Sequence, residues 1–129
     1  MKKIIIFFGL VLMVSCGDTA MEKPDNLIEK DVMIAILYDI AVLQATENTN
    51  AALFQQNGIQ PGAFIYKKYN IDSLTFAQSN RYYATDPQQY KEMFGMVYHQ
   101  IEQKQLELNQ KSVQETGKAI APSDAPAIQ

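Results

Sequence analysis

The sequence predicts an all-α fold, a small bundle of three or four helices. Three observations predict it: two long segments with apolar residues at helical spacing, two helix starts marked by aspartate, and no alternating strand pattern bounded by turn signals. With 129 residues, 47% apolar and 19% charged, the chain has the composition of one folded domain rather than of a disordered segment. Its expected order is a leader (1–15), a tether (16–26), the helical domain (27–111) and a tail (112–129). The tail is rich in Ala, Pro, Ser and Gln and is expected to be disordered.

The leader comes first. Lys2 and Lys3 precede an apolar run from Ile4 to Val14, broken only by Gly9, and the small Ser15 follows. That is a signal-peptide layout, and the run falls well short of the roughly 20 apolar residues that cross a membrane. Met13-Val14-Ser15-Cys16 resembles a bacterial lipobox, with Met where Leu is usual. The resemblance implies cleavage before Cys16, a diacylglycerol on its thiol and a further acyl chain, such as palmitate, on its freed amine. Two or more chains hold a protein stably on a membrane where one does not. The other reading is ordinary secretion, with Cys16 lost in the leader. On the first, the chain is held in the cell envelope, with the outer membrane expected and the periplasmic or surface face left open.

Cys16 is the only cysteine, so no intramolecular disulfide exists. Removing Lys2 and Lys3 moves the formal net charge from −3 to −5, and the charges are dispersed. A nucleic-acid surface is therefore not expected. Gly17 to Asn26 has little apolar periodicity and reads as tether, able to span at most about 35 Å.

The first helix is expected from about Lys30 to Glu47. At about 100° per residue, Met33, Ile36, Leu37, Ile40 and Leu43 converge on one face with Val32 beside them. Asp39 lies at the edge of that stripe. A carboxylate there needs a partner, such as a tyrosine hydroxyl, Arg81 or a backbone amide, and reads as a half-buried structural acid. Asn48 to Gly62 reads as a frayed helix end and a loop, into which Ala51, Ala52 and Leu53 could extend the helix. A short helix follows over Ala63 to Tyr69. Asp72 then caps a helix from Ser73 to Tyr83, with Phe76 and Tyr83 on one face. Asp86-Pro87-Gln88-Gln89 starts the last helix, which reaches about Lys111. Tyr90, Phe94, Val97, Ile101 and Leu108 share a sector of it, with Met93 beside them.

Several of these segments carry a family resemblance. The order Pro24-x-Asn26-Leu27-Ile28, Met33-x-x-Ile36-Leu37-Tyr38-Asp39, Tyr66-Lys67-Lys68-Tyr69-Asn70-Ile71-Asp72, Phe76-x-x-Ser79-x-x-Tyr82-Tyr83 and Asp86-Pro87-x-x-Tyr90 resembles a group of short predicted lipoproteins from Bacteroidota. That group is known as a domain of unknown function. The resemblance runs from about Pro24 to Gln105 and implies place and fold, but no activity. Tyr69-Asn70 stands where His-Gly is expected in many of its members.

Catalytic parts are not found. His99 is the only histidine and is expected to face solvent, and there is no spare cysteine, so zinc and Cys–His or Ser–His chemistry lack their components. Gly58 and Gly62 form no phosphate-binding motif. No enzyme, no metal and no cofactor beyond the covalent lipid are expected.

Tyrosine is the unusual feature. Tyr66, Tyr69, Tyr82, Tyr83, Tyr90 and Tyr98 fall within 33 residues, in a chain without tryptophan. Some of them, Tyr83, Tyr90 and Tyr66 first, read as core residues with hydroxyls at the rim. Tyr69, Tyr82 and Tyr98, with Arg81, read as a candidate contact surface, because Tyr and Arg anchor interfaces. Two functions stay open: a membrane-anchored, non-enzymatic interaction or assembly module with an envelope protein partner, or a lipoprotein that binds a glycan or peptide by tyrosine stacking. A flat aromatic patch favours the first and a deep tyrosine-lined pocket the second.

Overall fold

A computed structural model describes residues 21–117, and over that span the chain is all-α. Five helices follow in order: α1 (Lys30–Thr49), α2 (Ala51–Gln56), α3 (Pro61–Tyr69), α4 (Ser73–Ala84) and α5 (Pro87–Thr116). The expected leader, Cys16, the first part of the tether and the tail from residue 118 lie outside the described residues.

The helix starts follow the local chemistry of the sequence. Asp72 accepts the amide of Thr75 at 2.6 Å, and that bond holds its carboxyl below the ordinary carboxylate range. Asp86 accepts the amide of Gln89 at 3.0 Å, and Pro87 fills the first helical position, where a missing N–H costs nothing.

Three boundaries differ from the sequence reading. Ala51 to Gln56 forms a helix of its own because Asn50 breaks α1 and caps α2, accepting the amide of Leu53 at 3.3 Å. Helix α3 begins at Pro61 rather than Ala63, since proline again serves as the first helical residue. Helix α5 runs through Ser112, where the tail was expected, to Thr116. Its run of Gln, Glu and Lys favours helix, and the first left-handed stop is Gly117 at φ 68°, whose amide donates to the Val113 carbonyl at 3.0 Å.

The core forms where α1, α3, α4 and α5 meet: Ile28, Met33, Ile34, Ile36, Ile65, Tyr83, Met93 and Val97 are buried together. Leu37, Ile40 and Leu43 pack against it as half-buried neighbours. Val32, expected beside the stripe, is exposed, and Ile34 is buried instead. Helix α1 is contacted on one side by α5 and on another by α3, so its buried sector is broad and turned toward Ile34. Lys30 pairs with Glu92 at 3.9 Å, while Tyr38 lies near enough to Lys104 to act on its charge, so α1 and α5 run in the same direction.

The segment before α1 is fastened to α4. The Ile28 amide donates to Ser79 Oγ at 3.0 Å, and the Tyr83 hydroxyl donates to the Ile28 carbonyl at 2.7 Å. Both backbone groups of a buried residue are thereby satisfied by side chains, which explains a fully buried serine in the core. Burial also pushes the Tyr83 hydroxyl above the ordinary tyrosine range.

Candidate functional site

Asp39 sits on the flank of α1 with its side chain 18% exposed. The end of α3 brings it two partners. The Tyr69 hydroxyl donates to its carboxylate at 2.7 Å, and the Lys68 ammonium pairs with the same oxygen. A tyrosine was among the partner types the sequence suggested, whereas Arg81 is not involved. Tyr69 is pushed up to about 12, first by burial, then by the hydrogen bond to Asp39 and that carboxylate's charge. Lys68 also lies 5.3 Å from the Tyr69 ring centre. The cluster ties α1 to α3 and leaves Asp39 with a neutral donor and a cation rather than a second acid. Its two contacts join α1 to α3 through one carboxylate oxygen.

The four residues read as a contact surface are thus distributed unequally. Tyr69 is half-buried and engaged with Asp39. Tyr82 is half-buried against the core, its ring edge-on to Tyr83 at 5.6 Å. Arg81 is exposed on the outer side of α4, and Tyr98 is 57% exposed on α5. Neither forms a hydrogen bond or ion pair among the described residues.

Around Tyr98 the structure adds what the sequence assigned to the core. Phe94, Tyr98, Ile101 and Leu108 lie at i, i+4, i+7 and i+14 on α5, within about 80° of one another. Phe94, Tyr98 and Leu108 are exposed, and Ile101 is half-buried. Phe94 is packed edge-on to Tyr90 at 4.9 Å, and the Tyr90 hydroxyl donates to Asn80 at 3.0 Å, so the stripe starts from an anchored pair. Leu106 and Val113 are exposed on another side of the same helix, a heptad apart. Of the twelve large apolar side chains exposed among the described residues, six lie on α5: Phe94, Met96, Tyr98, Leu106, Leu108 and Val113.

Concave sites are less developed. One recess of about 440 Å³ lies between the segment 21–26 and Gln78 and is mostly polar. Another of the same volume lies along Glu92, Gly95, Met96, His99 and Gln100 on α5, where His99 is exposed as expected. No tyrosine lines either of them. Among the described residues no three His, Cys, Asp or Glu side chains stand close enough to hold a metal ion, and no helix is long and apolar enough to cross a membrane.

Comparison with known proteins gives a family and no activity. A family model described as Domain of unknown function (DUF4296) matches residues 24–107. No curated protein and no solved structure matches the chain.

Proposed function

We propose that this chain, which belongs to the DUF4296 family of domains of unknown function, is a lipid-anchored envelope protein acting as a non-enzymatic interaction or assembly module. Lipid on Cys16 would hold it to the membrane, with the outer membrane the expected one, and the domain would present α5 to an envelope protein. The observation that carries the reading is the exposed apolar stripe Phe94, Tyr98, Leu108 on a helix that outruns its own core. Aromatic and aliphatic residues at i, i+4 and i+14 on a rigid helix suit a groove or a second helix. The separation of the tyrosines, with Tyr69 and Tyr82 engaged internally, weighs against a glycan- or peptide-stacking pocket. Arg81 stays with the exposed set but on a different helix from the stripe.

The test is affinity purification of the mature lipoprotein from detergent-solubilised envelopes, followed by mass spectrometry, beside a chain carrying Tyr98→Ala and Leu108→Ser. Both side chains are exposed, so the double variant keeps its fold. A reproducible partner lost from the variant supports the reading. A partner retained by it, or no partner at all, overturns the assignment to α5. A Cys16→Ala chain run in parallel reports how far capture depends on the anchor.

A further inference from the structure

We propose that the outer face of α4, centred on Leu74 with Gln78 and Arg81, lies against the bilayer surface. The proposal rests on the lipid anchor inferred above and deepens it by giving the domain an orientation.

The first argument is length. The sequence alone allows a ten-residue tether, yet the structure consumes most of it. The Leu27 amide turns back on the Pro24 carbonyl at 3.2 Å, Ile28 is fastened to Ser79 and Tyr83, and the segment 21–26 lies beside Gln78 of α4. Only five residue steps separate Cys16 from Met21, a span of at most about 18 Å. Helix α5 alone, with 30 residues, is about 45 Å long. A leash of that length keeps the side it leaves from within about 18 Å of the surface, nearer than the far end of the domain is held, and that side is α4.

The second argument is which side chains that side shows. Leu74 is 63% exposed, more than any other large apolar residue among those described. At about 100° per residue, Gln78 and Arg81 fall within 40° of it, while Ser79 and Tyr83 lie about 140–180° away, on the buried side. The core therefore has no use for Leu74. Arg81 carries a planar guanidinium suited to phosphate oxygens and forms no ion pair among the described residues. A leucine that enters the interface, flanked by an amide and a guanidinium at headgroup level, is the chemistry of a shallow lipid contact.

The experiment uses the mature, anchored chain on vesicles of phosphatidylethanolamine with a minority of phosphatidylglycerol. The Cys16 thiol is occupied by lipid there, so Leu74→Cys introduces the one free thiol for a nitroxide label. Leu106→Cys, also exposed and directed away from the α1 and α4 sides of α5, is the control. Collision with a water-soluble nickel reagent is expected to be at least about threefold lower at 74 than at 106. Equal accessibility at the two positions on a chain whose mass includes the lipid overturns the orientation and leaves the anchor standing. Protection of position 74 in native envelopes but not on these vesicles also overturns it and assigns the face to a protein. A mature chain whose mass lacks lipid on Cys16 overturns anchor and orientation together.

Discussion

The two halves of α5 share one helix and one apolar period, and only the first half is packed. From Pro87 to Ile101, Met93 and Val97 are buried and Tyr90 and Ile101 close over them. Beyond Ile101 no residue of α5 joins the core, and Leu108, on the same side as Tyr90, is 45% exposed. The difference is one of partners rather than pattern. Helix α1 starts level with Glu92 and its 20 residues reach well past Ile101, yet its last residues, from Gln44 to Thr49, are exposed, so the two helices stop packing before either of them ends. Amphipathic spacing tells which sector of a helix would face a partner, but not how far along the helix the contact lasts. The distal half carries an exposed ion-pair network instead, with Glu107 between Lys104 and Lys111 at 2.9 and 2.7 Å.

The sharpest way to break this comparison is to remove a side chain from each half. Met93→Ala empties a fully buried site and is expected to cost about 2–5 kcal/mol of stability in urea or thermal unfolding. Leu108→Ala, from the same helix and a similar sector, is expected to stay within about 0.5 kcal/mol. Equal losses would mean that the distal half is covered in solution and that α5 is packed along its whole length.

The next largest effect tests what fastens the packed region to the chain before it. Ser79→Ala leaves the buried Ile28 amide without an acceptor and is expected to cost about 1–3 kcal/mol. Amide exchange should rise first around Ile28. Ser79 appears in the sequence only as one position of the family resemblance, and its packing role is not legible there, because a polar residue between Phe76 and Tyr83 reads as a gap in the stripe. Its role depends on a segment 51 residues away, and local periodicity carries no such information.

Other features were legible to the extent that their physics is local. The Asp72 and Asp86 caps and the two long helices follow from residues within a few positions of each other. Helix α2 did not emerge because six residues are too few to show a period, although Asn50 three places before Leu53 is a usable cap signal. Phe54 and Ile65 are buried without having been marked as core, since short helices give them no stripe to belong to. Among the tyrosines, composition picks out the group but not its division. Tyr82 and Arg81 are neighbours on α4, yet a rotation of about 100° sends one toward the core and the other outward.

Asp39 offers a smaller test, because sequence reasoning found its need for a partner and the structure supplied one. Asp39→Asn removes the charge beside Tyr69 and is expected to cost about 1 kcal/mol or less, as Lys68 is half exposed to water. The Tyr69 titration, followed by its ultraviolet absorbance, should fall below about 12 yet remain above 10.0, since burial is the first cause of its rise. The folded state holds the Tyr69 proton more tightly than the unfolded state does. Its stabilising contribution is therefore complete below pH 10.0 and is lost as pH rises through about 12. An unchanged titration in Asp39→Asn would show that burial alone sets it, and that the contact between α1 and α3 is apolar in effect.

The smallest effect belongs to the bare half of α5 and distinguishes it by pH. Glu107 is lowered from 4.5 to about 2, first by its hydrogen bonds from Lys111 and Lys104 and then by their charges. Its folded value lies below its unfolded one, so its contribution is present above pH 4.5 and is lost as pH falls through about 2. Carbon chemical shifts along residues 102–116 should report loss of helix in that window, while residues 87–101, held by the core, change less. Salt near 1 M, where screening acts over only about 3 Å, should weaken the distal half at neutral pH in the same way. Glu107→Gln should remove the acid dependence without altering the proximal half. If the two halves lose helix together on acidification, the charge network is not what holds the overhang, and the apolar stripe through Leu108 has found a partner of its own.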